Sequence, residues 1–247
     1  MDRLVYVAMS GAKQSLRAQT ANSYNLANIS TIGFRADLSA FQAEQVQGAG
    51  LPSRAYATDN SVGWDASGGT LQQTGRELDV AVQGQGWIAV QGPQGTEAYT
   101  RAGDLHVDPN GQLMTAAGYP VLSDSGPVAV PPYASISVGH DGSVSIVPLG
   151  QTPATVAVCG RIKLVNPPSD SLERTDGGLF RLKSGGDATA DATVQLVPGA
   201  LESSNVNMAA AMTNMIELAR NYDMQLKSIK AAEDNDASST KLLQTSG

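Results

Sequence analysis

The sequence predicts an α+β protein in which N- and C-terminal helices pair as a coiled coil around an inserted antiparallel all-β domain. Three observations support this prediction. Both ends of the chain carry residues at heptad spacing, the middle alternates apolar and polar residues with a period of two, and glycine-rich turns interrupt the middle repeatedly. Helices at the ends and short strands between them are typical of an α+β chain.

Composition bounds the possible functions. The chain has 247 residues, of which 41% are hydrophobic and 5% aromatic, so it can bury a core built mainly from aliphatic side chains. A net charge of −7 without a basic cluster argues against a nucleic-acid partner. The single cysteine, Cys159, excludes an intramolecular disulfide and any CxxC metal site.

No segment has the apolar length of a membrane span or of a secretory signal peptide. We therefore expect a chain that does not cross a membrane and is not exported by a conventional cleaved signal.

The first element is a proline-free helix over residues 3–30, within a helical region 1–35. One face repeats in steps of four and three residues, which predicts a heptad seam; its members are Val5, Met9, Ala12, Leu16, Gln19, Ser23 and Leu26. Gly33 can supply the left-handed residue that ends the helix or its following turn. Residues 36–76 have no sustained period and carry Gly and Pro, so we expect a linker with short extended segments.

The region 77–200 is predicted to form the β domain. Its expected core positions alternate with polar neighbours: Leu78, Val80, Val82, Val156, Val158, Ile162, Leu164, Val194 and Leu196. Turn signals such as Asp108-Pro109-Asn110-Gly111 and Asp176-Gly177-Gly178 separate the strands.

The region 201–247 returns to helix, from Ser204 to about Ala232. Its predicted seam is Met208, Ala211, Met215, Leu218, Tyr222, Gln225 and Ile229. This helix is expected to pair with the first one, because both leave the same β domain.

The distribution of charge predicts an assembly surface. No charged residue lies between Arg17 and Arg35 or between Glu202 and Glu217, whereas an isolated surface helix normally carries charges on its outer side. If the helices are antiparallel, the two uncharged stretches lie side by side, and neighbouring subunits would cover them. Asn22, Asn25 and Asn28 follow one face there; they could bridge such a contact or merely fray a helix end.

Patterns that suggest catalysis or ligand binding have simpler explanations. Gly84-x-Gly86-x-x-Ala89 imitates a dinucleotide fingerprint, but β-favouring residues follow it where a helix is required, which favours a glycine hairpin or bulge. Asp104, His106 and Asp108 could line a metal site, yet a solvated strand face is the simpler interpretation. His140 lies in a turn with no expected partner, and Cys159 is expected to pack.

Several strings resemble the flagellar axial family of rod and hook proteins. Asn25-Leu26-Ala27-Asn28-Ile29-Ser30-Thr31-Ile32-Gly33-Phe34-Arg35 is similar to that family's N-terminal signature, and Leu201-Glu202-Ser203-Ser204-Asn205-Val206-Asn207 to its C-terminal one. Gly86-Trp87-Ile88-Ala89-Val90-Gln91 and Gly178-Leu179-Phe180-Arg181 look most like the proximal rod members. Tyr24 departs from the Asn commonly found at that position.

The resemblance implies a structural subunit of the basal-body rod that carries torque and encloses the export channel. It implies no enzymatic activity and no cofactor, export through the flagellar type III apparatus, a location in a rod crossing the periplasm, and contacts with its own copies and other rod proteins. The alternatives are a distal rod or hook protein, a phage or secretion-system tail component, and an extracellular β-rich hydrolase or binding domain.

The predicted assembly interface combines the two helices and both signatures. Its members are Val5, Met9, Leu16, Asn22, Asn25, Leu26, Asn28, Gly33, Phe34, Asn205, Val206, Met208, Met212, Met215, Ile216, Leu218, Tyr222 and Ile229.

Overall fold

The computed structural model describes residues 3–45, 55–151, 155–175 and 177–245. These residues divide into two compact units. The helical unit comprises residues 1–29, 36–65 and 206–247, and the β-unit comprises residues 30–35 and 66–205. The predicted α+β class is confirmed, since helices occupy both ends of the described chain and antiparallel strands lie between them, whereas coiled-coil pairing of the helices stays a prediction.

In its described residues, the helical unit has two helices and one pair of strands. Helix α1 spans Arg3–Ala27 and α2 spans Met208–Thr245, while strands β1 (Asp37–Gln45) and β2 (Ala55–Trp64) pair antiparallel. Both helices contact each other, and α1 also contacts the two strands. For residues 36–76 we expected a linker with short extended segments, whereas the structure shows this pair of long strands followed by a three-residue strand.

Helix α2 is longer than predicted. The expected end near Ala232 is wrong, because the helix continues to Thr245. The last residues, Glu233 to Thr245, are mostly polar and lack an apolar period, so hydrophobic spacing gave no signal for them.

The described residues of the β-unit form sixteen short strands and one 3₁₀ turn, Ser169–Ser171. The strands are β3 (Leu71–Gln73), β4 (Val80–Gln83), β5 (Trp87–Gln91), β6 (Glu97–Thr100), β7 (Leu105–Val107), β8 (Leu113–Thr115), β9 (Leu122–Ser123), β10 (Gly126–Pro127), β11 (Tyr133–Val138), β12 (Ser143–Pro148), β13 (Ala157–Arg161), β14 (Leu164–Val165), β15 (Leu172–Arg174), β16 (Phe180–Leu182), β17 (Gln195–Pro198) and β18 (Ala200–Glu202).

All strand pairs in this unit are antiparallel. The largest sheet has the order β14-β5-β6-β16-β15, a second has the order β11-β12-β13, and the remaining strands form the pairs β17-β4, β18-β3, β7-β8 and β10-β9. Short strands that pair locally need many tight turns. Glycines supply these, for example Gly111 with φ +81° after Asn110.

One hydrophobic cluster fills the β-unit. Val80, Val82, Ile162, Leu164 and Leu196 are buried in it as predicted. Val156 and Val158 are not, and their predicted core positions are wrong. Val158 is 69% exposed, and the neighbouring Ala157 and Cys159 face the cluster instead. The pairing of β12 with β13 contains a register shift. Because a shift of one residue turns the following side chains of a strand to the opposite face of the sheet, Val158 lies on the exposed face.

Candidate assembly surface

The seam between α1 and α2 is lined by small side chains on the α1 side. Ala8, Ala12, Ser15 and Ala18 are buried there, and a Cβ added at Gly11 would lie 2.9 Å from the Gln225 side chain. Small residues allow two helix axes to approach closely. The predicted α1 seam is wrong for three of its members, since Met9, Leu16 and Ser23 are exposed. Of the others, Ala12 is buried and Val5, Gln19 and Leu26 are half-buried.

The α2 side of the seam follows the prediction. Ala211 is buried, and the half-buried members are Met215, Leu218, Tyr222, Gln225 and Ile229; Met208 is exposed. The contact between Gly11 and Gln225, together with the hydrogen bond from Asn22 Nδ2 to the Ala211 carbonyl (2.7 Å), makes the two helices antiparallel. The uncharged stretches that follow Arg17 and precede Glu217 consequently lie side by side within this unit.

Large apolar side chains cover the outside of the helix pair. We call them the outer apolar surface: Tyr6, Met9, Leu16 and Tyr24 on α1, and Met208, Met212, Ile216, Met224 and Leu226 on α2. Met9 is 55% exposed, Leu16 53% and Ile216 55%. Met208, Met212 and Ile216 succeed one another at a spacing of four residues, which places them along one stripe of α2. Exposed apolar side chains of this size are typical of a protein–protein contact, and that role stays a prediction here.

The three asparagines of α1 already have partners within the helical unit. Asn22 bonds to α2, as described above. Asn25 Nδ2 donates to the Asp37 carbonyl (2.9 Å) while its Oδ1 accepts from the Asp37 N–H (2.8 Å), so its amide holds the start of β1. Asn28 Nδ2 donates to the Tyr24 carbonyl (2.9 Å) at the end of α1. Their predicted role in contacts between subunits stays a prediction.

A buried ionic cluster lies in the β-unit, where residues 30–35 meet residues 199–205. Glu202 Oε1 lies 2.6 Å from Arg35 Nη2, and its Oε2 accepts a hydrogen bond from Arg101 Nη1 (2.9 Å). Glu202 Oε1 also accepts from the Gly69 N–H at 2.9 Å. All three charged side chains are nearly inaccessible to solvent. Burial lowers the pKa of Arg101, and the Glu202 carboxylate opposes that shift.

Backbone contacts hold residues 33–35 in the same place. The Gly33 N–H donates to the Glu202 carbonyl (2.8 Å), and the Asn205 N–H donates to the Phe34 carbonyl (3.3 Å). Gly33 has φ +67°, and a Cβ there would lie 2.3 Å from the Arg101 carbonyl carbon. Phe34 is buried, with the Arg174 guanidinium 4.8 Å from its ring centroid. Gly33 and Phe34 thus pack within the β-unit, and an additional role between subunits stays a prediction.

The remaining predicted interface residues lie in or beside the helices. Val5, Leu26 and Val206 are half-buried, and so is Asn205, whose Nδ2 donates to the Ser67 carbonyl (3.0 Å) in the β-unit. The sequence analysis missed the buried triad of Arg35, Arg101 and Glu202. A signal was present, because Arg35 and Glu202 are opposite charges that bound the two uncharged stretches.

The other candidate sites take part in ordinary packing and turns. After Gly86 the chain forms strand β5, which confirms the glycine-turn interpretation over a dinucleotide fingerprint. Asp108 accepts hydrogen bonds from the Asn110 and Gln112 N–H groups and thereby closes its turn. His140 does have a partner, contrary to expectation, since its Nδ1 lies 2.9 Å from the Leu196 carbonyl. Cys159 packs against the core, and burial raises the pKa of its thiol.

Two further findings concern membrane spans and metal sites. Neither α1 nor α2, the helices of the described residues, combines the length and apolar character that a membrane crossing requires. In the same part of the chain, no group of three or more His, Cys, Asp and Glu side chains could hold a metal ion.

Comparison with known proteins gives matches along the whole chain. Residues 81–146 match the model of the flagellar hook protein FlgE/F/G D1 domain, and residues 197–242 match that of the flagellar basal body rod FlgEFG protein C-terminal region. The flagellar basal-body rod protein FlgF of Escherichia coli is 44% identical over 252 residues, with both chains covered fully. FlgF of Salmonella typhimurium is 42% identical with the same coverage, and FlgG of Bacillus subtilis is 32% identical over 95% of this chain and 96% of its own.

Proposed function

This chain belongs to the family of flagellar basal-body rod proteins, as a structural subunit of the flagellar axis, and from that premise we propose that it builds the proximal rod by polymerising through its helical unit. The observation that carries this proposal is the outer apolar surface. In the separate chain, Met9, Leu16, Met212 and Ile216 remain largely exposed to water.

Covering this surface would stabilise a polymer. Full burial of one Leu, Ile or Met side chain contributes about 1.5–3 kcal/mol relative to leaving it exposed. The uncharged stretches on α1 and α2 lower the opposing cost, because no charge has to be removed from water along the stripe of Met208, Met212 and Ile216. The same side chains recur in every subunit, so each added copy gains a similar contact.

The proposed mechanical role of the chain follows from polymerisation through the helical unit. Packed helices of successive copies form the wall of a hollow rod, which encloses the export channel. Torque then passes through the contacts between helical units. The fully buried core of the β-unit and its ionic cluster support this role, because a densely packed unit transmits load with little deformation.

The proposal also predicts the partners of the chain and its location in the cell. The chain would meet its own copies and the neighbouring rod proteins, reach its position through the flagellar type III export apparatus, and remain in the rod where it crosses the periplasm. It would act without catalysis, cofactor or nucleic acid.

Single charges on the outer apolar surface test the proposal. Met212→Lys and, separately, Ile216→Lys are introduced into cells lacking the native gene, and swimming and isolated basal bodies are examined. Each variant should melt like the parent protein, since both side chains are solvated in the separate chain, yet fail to form rods, because each contact would bury an unpaired ammonium.

The matched control is Val158→Lys, which places the same charge on an exposed apolar position of the β-unit. It should leave swimming unchanged. Normal rods in both helical variants would show that the outer apolar surface faces water in the assembled flagellum, and the proposal would be wrong.

A further inference from the structure

Helix α2 continues beyond the helix that it packs against. The contacts of Asn22 with Ala211 and of Gly11 with Gln225 set an antiparallel register in which the start of α1 lies opposite Ala232. Ala232 is 1% exposed and is the last buried residue among the described part of α2. The segment from 233 to 245, which we call the α2 extension, adds about 20 Å of helix.

The α2 extension is acidic and exposed. It carries Glu233, Asp234 and Asp236 against a single cation, Lys241. Every side chain that the structure describes between 233 and 241 is exposed. Asp236 occupies the next position of the seam after Ile229 and Ala232, which follow one another in steps of three and four. The seam of α2 therefore changes there from apolar residues to a carboxylate.

The outer side of α1 has the opposite charge. Between Arg3 and Ala36 the chain contains no acidic residue, and Lys13 and Arg17 lie among the exposed apolar side chains Met9 and Leu16. At about 100° per residue, Met9, Lys13 and Leu16 lie on the side of α1 opposite the buried Ala18. The face from Tyr6 to Arg17 is about 16 Å long, which is close to the length of the α2 extension.

Resting on the proposed function, we propose that the α2 extension of one copy docks on the outer face of α1 in a second copy. Opposite charge specifies the pairing, and the lengths of the two elements match. The carboxylates of Glu233 and Asp236 approach Lys13, and the apolar side chains Met9 and Leu16 are covered in the same contact. On this face α1 itself presents no acidic residue to the incoming carboxylates.

Charge exchange tests this pairing in the full-length chain. Lys13→Glu and Asp236→Lys each turn an attractive pair into a repulsive one, and each should raise the protein concentration needed for polymerisation about tenfold. The double variant Lys13→Glu with Asp236→Lys restores opposite charges in every contact and should polymerise like the parent. Lys227→Glu, which makes the same charge change outside the proposed contact, serves as control and should have little effect.

The outcomes separate this inference from the proposed function. Recovery in the double variant supports the pairing. Parent-like polymerisation of both single variants, or loss in both without recovery in the double variant, overturns it. If Met212→Lys still prevents rod formation in either of those cases, the proposed function stands and only the docking of the α2 extension is wrong. If Met212→Lys and Ile216→Lys leave rods unchanged, the proposed function fails whatever the charge variants do.

Discussion

The two units of this chain distribute their apolar residues in opposite ways. In the β-unit the large side chains are inside: Ile88, Leu105 and Leu196 are completely buried. Among the described side chains of α1 and α2 the buried apolar residues are alanines, such as Ala18 and Ala211, whereas several Met, Leu, Ile and Tyr side chains are exposed. The β-unit is therefore stabilised by its own core, and under the proposed function the exposed apolar side chains of α1 and α2 are covered when copies associate.

The sharpest test of this contrast is the same substitution in both units. Ile88→Ala should lower the free energy of unfolding by about 4 kcal/mol, because it leaves a cavity in a packed core. Ile216→Ala should change the same quantity by less than about 0.5 kcal/mol in the separate chain, because its side chain is already exposed. Urea unfolding of the two purified variants measures both values. Equal losses would show that the helical unit has a core of its own.

The ionic cluster gives the next largest expected effect. Glu202→Gln leaves Arg35 and Arg101 buried without a compensating anion and should cost about 3 kcal/mol in unfolding free energy. The control is Glu173→Gln in the exposed pair with Arg181, for which less than about 1 kcal/mol is expected. If both substitutions cost the same in thermal or urea unfolding, the buried cluster does not stabilise the β-unit.

Substitutions at two glycines with positive φ, Gly33 and Gly84, should differ less in unfolding free energy than the pairs of variants above. Gly33→Ala combines a left-handed residue with a steric clash against the Arg101 backbone, and we expect a loss of about 2–3 kcal/mol. Gly84→Ala has a similar φ of +70° but open space around its Cβ, so the strain alone should cost about 1 kcal/mol. The difference between their unfolding free energies reports how tightly residues 30–35 pack. A smaller loss for Gly33→Ala than for Gly84→Ala would contradict that packing.

Sequence patterns predicted where the helices and strands lie better than they predicted which face of each is buried. The α2 seam from Ala211 to Ile229 was found because its spacing alone defines it. The prediction for α1 was wrong at Met9 and Leu16, which are exposed, because small residues such as Ala18 line the contact with the partner helix instead. The spacing of apolar residues in α1 does not determine which of its faces packs against α2 and which is left for contacts between copies.

Other errors have local causes. Val158 was placed in the core because alternation was continued across a register shift that only the pairing of β12 with β13 reveals. The pair of β1 and β2 was missed because backbone hydrogen bonds form it and its sequence has no sustained alternation. The predicted assembly residues Met9, Leu16, Met212 and Ile216 are exposed, but the ionic cluster of Arg35, Arg101 and Glu202 joins distant segments and required the structure.

Protection of Met212 on assembly tests the central claim most directly. In a Cys159→Ala background, a cysteine is introduced by Met212→Cys and, in a control chain, by Val158→Cys, and the rate of thiol labelling is measured in the purified protein and in isolated basal bodies. Both cysteines should react quickly in the purified protein, since both positions are exposed. In basal bodies the cysteine at position 212 should become protected by at least about tenfold, as expected for a side chain in a dry interface core. Equal labelling rates at position 212 in both preparations would contradict the claim that the outer apolar surface joins the subunits of the rod.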